Sequence, residues 1–276
     1  MNNEQKSVVI TSAVRTAIGT FRGSLKNKQG YELGSIVVKE AIKKSNLNSN
    51  DIDELIMGQV LTGAAGQNPA RQTAIQAGLP IEKTAYLINQ VCGSGLRSVV
   101  AGYQAMMSND SKIIIAGGQE SMTNAPHAIH FDNGKKLDES NLIDTMIKDG
   151  LWDAFNGYHM GITAENVAEK WNILRKDQDA FAASSQSKAQ EAIKNKKFME
   201  EIIDKSTEDE HPRKGVTIEN LSKLKPAFKE NGTVTAGNSS GINDGAAAVL
   251  LMSRNESDSR GLLPLAKIVS WATCGV

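Results

Sequence analysis

Apolar residues in the first part of the chain fall in two alternating patterns: short continuous runs, and stretches with helical spacing. Residues 7–13, SVVITSA, predict a strand, followed by a loop with Arg15, Thr16, Gly19 and Gly23. Over 31–45, Leu33, Ile36, Val37, Ala41 and Ile42 recur at the spacing of one helix face. Residues 54–61, ELIMGQVL, predict the next strand. Gln67 to Gly78 predicts a helix with Pro69 in its first turn. Residues 85–91, AYLINQV, predict a strand, and Leu96, Val99, Val100, Tyr103 and Met107 mark a helix. KIIIA at 112–116 predicts another strand, ending in Gly117-Gly118. Strands alternating with helices predict an α/β layered domain. Short strands rich in Ile and Val suit a sheet covered on both faces.

The texture changes between Gln119 and Asn231, where charge rises and strand-like runs disappear. Two helices are predicted there, near Ala164–Trp171 and Lys176–Lys194. The second puts Phe181, Ala182, Ser185, Ala189 and Ile193 on one side, with charges elsewhere as a solvated face. After Thr233 a small, Gly-rich stretch leads into an apolar strand, Ala246–Met252, and Pro264–Ala272 predicts one more. The expected organisation is an α/β half over 1–118, an inserted loop or cap region over 119–231, and the start of a second α/β half over 232–276. A layered fold that has begun a new strand–helix series is expected to continue beyond Val276.

Composition narrows the function classes. Lys plus Arg and Asp plus Glu each count 31 in 276 residues, so there is no global field for nucleic acid or an anionic membrane. Aromatics are 5%, which argues against a base-stacking surface. No apolar run approaches the roughly 18 residues of a membrane span, and the N-terminus does not read as a secretory or transit signal. Two cysteines, Cys92 and Cys274, suit a cytoplasmic protein with reduced thiols rather than a disulfide scaffold. The four histidines, His127, His130, His159 and His211, form no metal-ligand spacing with them.

The strongest local motif is NQVCGSGL, residues 89–96. It puts Cys92 between a buried strand and the first turn of an amphipathic helix. Unpaired N–H groups and the helix dipole at that position favour a thiolate. The same N–H groups can donate to a developing oxyanion. Gly93 and Gly95 let substrate and backbone approach the sulfur. Taken alone, the motif also fits a small buried cysteine before a Gly-rich turn.

NQVCGSGLRSV resembles the nucleophile signature of thiolases. The likeness continues through VRTAIGTFRGSL near the start, GQNPARQ at 66–72, AGGQESMTNAP at 116–126, YHMGITAENVA at 158–168 and KLKPAFKENGTVTAGNSSGINDGAAAVLLMS at 223–253. Ordered matches along the whole chain are far more specific than the cysteine motif alone. The resemblance implies a thiolase-like layered fold and an acetyl-CoA C-acetyltransferase chemistry in fatty-acid metabolism. Two acetyl-CoA would condense to acetoacetyl-CoA through an acetyl-cysteine, and the reverse reaction would be thiolysis. It implies coenzyme A thioesters as substrates, no permanently bound cofactor, and a homo-oligomer arranged as a dimer of dimers, with Gln67–Gln72 near a partner subunit.

Carried over residue by residue, Cys92 matches the acyl-accepting nucleophile and its N–H one oxyanion donor. His159 and Met160 match a pair lining the pantetheine and acyl pocket. That pair favours acetoacetyl-CoA over long acyl chains. Arg213 matches an arginine against the CoA nucleotide. Phe228, Ala236, Ser239, Ser240 and Gly241 match a loop along the CoA moiety.

Three motifs of the family are absent from these 276 residues: Asn-Glu-Ala-Phe, Gly-His-Pro and Cys-x-Gly-Gly-Gly. Cys274 has no glycine run and is not the second catalytic cysteine. The expectation for this polypeptide alone is therefore an exposed sheet edge, an exposed apolar helix face, low stability, no condensation and residual acylation at most. A non-catalytic CoA-binding or interaction protein on the same scaffold is the alternative. A related condensing enzyme fits His159-Met160 and GTVTAGN less well.

Overall fold

The computed structural model describes residues 7–130 and 141–275. Its centre is a mixed seven-stranded sheet. Strands β1 (Val8–Arg15), β3 (Glu54–Gly58), β4 (Thr84–Ile88), β5 (Ile113–Ser121) and β10 (Asn243–Ser253) carry it, with short β2 (Gly19–Thr20) and β11 (Ala266–Lys267) at the margins. The order is β11-β1-β10-β5-β3-β4, and β2 pairs with β10. β3 runs parallel to both β4 and β5, while β10 runs antiparallel to β1 and β5. Two-residue strands β6 (His127–Ala128), β7 (Ile143–Asp144), β8 (Trp152–Asp153) and β9 (Tyr158–His159) form two small ladders beside the sheet.

Helices α1 (Gly30–Lys44) and α2 (Pro69–Ala77) pack together on one face, and α3 (Ser94–Met107) covers the other. Their ends follow from the sequence. Gln29 N–H donates to Glu32 Oε2 (2.7 Å) at the start of α1. Asn68 Oδ1 accepts from Arg71 N–H (3.1 Å), Pro69 opens α2, and Gly78 closes it at φ 90°. Ile113, Ile114, Ile115 and Ala116 are all buried, because helices cover both sides of β5.

Residues 243–253 do not begin a second sheet. β10 lies between β1 and β5, so the third expected division, 232–276, joins the sheet of the first 118 residues. Sequence adjacency could not reveal this, because the pairing spans more than a hundred residues. The Pro264–Ala272 strand reduces to Ala266–Lys267; after it Ile268 packs half-buried against the core, and residues 269–275 are exposed with no regular secondary structure. The strands expected to reach Leu61 and Val91 stop at Gly58 and Ile88, where the chain turns away to build a cavity.

The face of α3 also differs from expectation. Ser94, Ser98, Gly102 and Met106 meet the sheet, while Leu96 is 79% exposed and Met107 is exposed. A Cβ on Gly102 would stand 2.8 Å from Leu251 Cδ1, so this helix lies too close to the sheet for large residues. β4 is the outermost strand on that side.

Between β9 and β10 lie α4 (Met160–Lys170), α5 (Arg175–Lys194) and α6 (Ile218–Ser222), and α7 (Arg254–Ser259) follows β10. In α5 the expected inward face is reversed at Phe181, which is 78% exposed, and the buried residue is Asp179. No helix among the described residues is long and apolar enough to cross a membrane.

Candidate active site

Cys92 lies in the turn between β4 and α3, directly before Gly93, the N-cap of that helix. The turn is bound by its own side chains. Gln90 N–H donates to Ser94 Oγ (2.8 Å), Ser94 Oγ–H donates to Val91 C=O (2.5 Å), and Val91 N–H donates to Asn89 Oδ1 (2.9 Å). Gly93 and Ser94 N–H groups donate back to Gln90 and Val91 carbonyls (3.0 and 3.1 Å). Val91 is held at φ 47°, a left-handed conformation that β-branched residues rarely adopt. Strain is therefore stored one residue before the sulfur, and the surrounding bonds sustain it.

Glycines set the height of the turn above the sheet. A Cβ on Gly58 would stand 2.4 Å from Ser94 C and 2.5 Å from Gly95 N. A Cβ on Gly118 would stand 3.5 Å from Gly95 Cα. The ends of β3 and β5 thus meet the first turn of α3 backbone to backbone.

Cys92 is exposed and opens onto a cavity of about 450 Å3 with mostly apolar walls. Leu61, Met122, Leu151 and Ala246 contribute to those walls. Four titratable groups also line it: Cys92, Arg15, Asp244 and Glu120. Arg15 is engaged by Asp209 (2.7 and 2.9 Å) and Glu201 (2.7 Å). Buried Asp244 accepts from the N–H (2.9 Å) and hydroxyl (2.5 Å) of Thr123. Glu120 accepts from Val60 N–H (2.8 Å) and Leu61 N–H (3.1 Å). Burial pushes its carboxyl above the ordinary range, and the two N–H groups offset this only in part.

A second cluster forms at the start of α4. His159 is the N-cap, and its Nδ1 accepts from Gly161 N–H at 3.0 Å. In the neutral ring the proton is then on Nε2. The ring stacks on Phe228, with centroids 4.9 Å apart. Met160 follows at the first helical position, partly exposed.

A third set of contacts fixes the loop at 232–239. Buried Glu165 of α4 accepts from Thr233 N–H (2.8 and 3.0 Å), Thr233 Oγ1–H (2.8 Å) and Val234 N–H (2.8 Å). Burial raises its carboxyl pKa, but the bonds from Val234 and Thr233, with Lys229 nearby, outweigh this and leave it lowered. Asp179, fully buried, bonds Arg175 Nε (2.8 Å) and Asn238 Nδ2 (3.0 Å). Asn238 Oδ1 in turn accepts from Thr235 N–H (2.7 Å). Sequence reasoning missed Glu165 and Asp179. The signal for Glu165 was its place between Gly161 and Ala168 on the buried face of α4, where a charge needs partners.

The structure brings His159, Gly161 and Phe228 together. It places Ala236 exposed on the held loop and Ser239 with its hydroxyl on Thr235 C=O (2.8 Å). Ser240 and Gly241 are exposed, and a Cβ on Gly241 would meet the His211 ring. Arg213 is exposed, and its backbone N–H donates to Gln186 Oε1 of α5 (2.8 Å). Of the candidate catalytic and CoA-contacting residues, Cys92 alone lines the 450 Å3 cavity, with Gly95 of the same motif also on the lining. Among the described residues no group of three or more His, Cys, Asp or Glu could hold a metal ion.

The sequence matches the family described as thiolase, N-terminal domain, over residues 8–255. The chain belongs to the thiolase family. It is 52% identical to an acetyl-CoA acetyltransferase of Rhizobium meliloti, over 98% of this chain and 71% of that protein. A second acetyl-CoA acetyltransferase, from Paracoccus denitrificans, is also 52% identical, over 97% of this chain and 71% of the relative. Among solved structures, the Acat5 thiolase from Ascaris suum in complex with coenzyme A matches with TM-score 0.89 at 39% identity, covering 96% of this chain and 70% of that one. The Bacillus anthracis acetyl-CoA acetyltransferase matches with TM-score 0.91 at 38% identity, covering 97% of this chain and 71% of that one. This thiolase chain therefore spans a little over two thirds of each relative's length. The family match at 8–255 crosses the boundary expected at 232, consistent with β10 lying inside the sheet.

Proposed function

We propose that this thiolase chain carries the acyl-accepting half of an acetyl-CoA C-acetyltransferase, with Cys92 as the nucleophile. The observation that carries this reading is the position of Cys92, at the mouth of the cavity and at the start of α3, in a chain half-identical to proteins of that name. The Cys92 thiolate attacks the carbonyl carbon of acetyl-CoA, with the Cys92 N–H as one donor to the oxyanion. The C–S bond to coenzyme A breaks, CoA thiolate leaves, and acetyl-Cys92 remains. In condensation a general base supplied from outside these 276 residues takes a methyl proton of a second acetyl-CoA, and the carbanion attacks the acetyl carbonyl and displaces the Cys92 sulfur. Acetoacetyl-CoA is released and the Cys92 thiolate is restored. Thiolysis is the reverse, and the double displacement gives ping-pong kinetics.

His159 and Met160 are assigned to the pantetheine and acyl passage, and Phe228 and the held loop with Ala236, Ser239, Ser240 and Gly241 to the side of the CoA moiety. Arg213 is assigned to the nucleotide end. The stacked His159–Phe228 pair and the loop fixed by Glu165 and Asp179 support these assignments, since both give rigid surfaces. CoA thioesters are the substrates, with no permanent cofactor. Self-association as a dimer of dimers, a cytoplasmic setting and a place in fatty-acid metabolism belong to the same reading through the family.

The test is acid-quenched reaction with radiolabelled acetyl-CoA followed by peptide mapping. Label on the Cys92 peptide, absent in Cys92→Ala, is expected. Label elsewhere would overturn Cys92 as the nucleophile, and no label on folded wild-type protein that still binds coenzyme A would favour the non-catalytic CoA-binding alternative instead.

A further inference from the structure

We propose that Glu120 is a positioning residue for acetyl transfer, its carboxylate fixing the Val60–Leu61 wall of the cavity onto which Cys92 opens. This rests on the reading of Cys92 as the acetyl acceptor. After Gly58 the chain leaves the β3 ladder, so the N–H groups of residues 60 and 61 have no strand partner and need acceptors. Glu120 supplies one oxygen to each, at 2.8 and 3.1 Å.

The preceding residue of β5 holds the same segment from the opposite face of the sheet. Buried Thr73 donates its hydroxyl to Gln119 Oε1 (2.7 Å), Gln119 Nε2 donates to Gln59 Oε1 (2.9 Å), and Gln59 Nε2 donates to Leu61 C=O (2.9 Å). Leu61 is therefore fixed at both its N–H and its C=O by side chains that trace back to adjacent residues of one strand. Leu61 lines the cavity, and its Cδ2 would lie 3.6 Å from a Cβ on Gly150, another lining residue, so a shift of Leu61 alters the packing of the wall there.

A carboxylate suits this task because both oxygens accept. An amide would turn a donor toward one of the two N–H groups. Among the described residues the cavity lining offers Glu120 no free cation. Arg15 is engaged by Asp209 and Glu201, Asp244 is taken by Thr123, and Cys92 is the remaining titratable group on the lining. The two N–H groups are thus the contacts that sustain the ionised form, and protonation, which burial favours, would loosen the wall.

The test compares wild type, Glu120→Gln and Glu120→Ala by amide hydrogen exchange and by single-turnover labelling of Cys92 with acetyl-CoA across pH. Expected are at least tenfold faster exchange at Val60 and Leu61 in both variants, and a fivefold or greater fall in the saturating labelling rate. An acid limb is expected in wild type and should be absent in Glu120→Gln. If Glu120→Ala does not fold, the isosteric Glu120→Gln carries the comparison. Faster exchange with an unchanged labelling rate would make the role purely structural and overturn the proposal, as would unchanged exchange. A wild-type chain that takes no acetyl group overturns the reading of Cys92 and this inference with it, while equal labelling in wild type and variants overturns the inference alone.

Discussion

His159 and Phe228 stack face to face, 4.9 Å between ring centroids and 17° from parallel, and Gly161 lies beneath the Phe228 ring. One residue type at 161 permits this. A Cβ there would stand 2.2 to 2.4 Å from three atoms of the ring.

Gly161→Ala is therefore expected to destabilise. Alanine in a helix ordinarily gains about 0.5–1 kcal/mol over glycine. Overpacking against a ring held by a stacked partner costs about 1–3 kcal/mol, so the net sign is unfavourable. Urea denaturation should show a lower midpoint. Coenzyme A titration should show weaker binding, because Phe228 must swing away from His159. A midpoint at or above wild type would show that the ring moves freely and that the stack is not a fixed surface.

Glu165→Ala removes the acceptor for two backbone N–H groups and one hydroxyl at Thr233 and Val234. Leaving those buried donors unpaired is expected to cost about 2–3 kcal/mol. The loop carrying Ala236 and Ser239 should become protease-sensitive while the central sheet keeps its amide protection. The carboxyl pKa is lowered in the folded state, so this contribution is present above the ordinary carboxylate range and fades as pH falls below it. Equal proteolysis of wild type and variant would contradict this account.

Glu210 gives the sharpest pH dependence. Its carboxylate accepts from Thr20 N–H (2.6 Å), Thr20 Oγ1–H (3.0 Å) and Ser24 N–H (3.0 Å), tying the 209–211 segment to the loop after β1. Led by the bond from the Thr20 backbone, these contacts lower its pKa from 4.5 to about 2. The folded value is depressed, so the stabilisation is fully present above pH 4.5 and is lost as pH falls through about 2. Because the side chain is exposed and screened, about 1 kcal/mol is expected. Glu210→Gln should thus lower the unfolding free energy at pH 7, with the difference vanishing near pH 2. A difference that persists unchanged at acid pH would assign the effect to packing.

The sheet strands and first three helices were legible because their patterns are local: Ile113–Ala116 is a continuous apolar run, and Pro69 and Gly78 punctuate α2. Cys92 was legible as a residue between strand and helix. The placement of β10 was not, since its partners are chosen by register with β1 and β5 rather than by neighbours in sequence. The α3 face was misjudged for a specific reason. Ser94, Ser98 and Gly102 form the buried stripe because closeness to the sheet, not apolar bulk, decides which side turns inward. The sequence pattern singles out neither Glu120 nor Glu165, and it puts Asp179 among the charges of α5 read as a solvated face. The long-range bonds that hold them reach 59 to 69 residues along the chain, from backbone N–H groups for Glu120 and Glu165 and from the Asn238 side-chain amide for Asp179.

The contact between Gly58 and α3 makes the strongest claim about how the sheet positions the sulfur. A side chain on Gly58 would collide with Ser94 C and Gly95 N, which are backbone atoms that no rotamer change can move. Gly93 is the natural control. Its φ is −80°, and the nearest atom to an added Cβ is Gln90 O at 3.3 Å, which needs only a small adjustment. Gly58→Ala is expected to cost about 3 kcal/mol or more by forcing apart β3 and the first turn of α3, and Gly93→Ala under about 1 kcal/mol. Thermal unfolding measures both. Modification of Cys92 by a thiol reagent in the folded state reports the turn itself, and its rate should change severalfold in Gly58→Ala and little in Gly93→Ala. If the two variants unfold alike and react alike, the height of the Cys92 turn is set by the bonds among Asn89, Gln90 and Ser94, and the glycine beneath it is incidental.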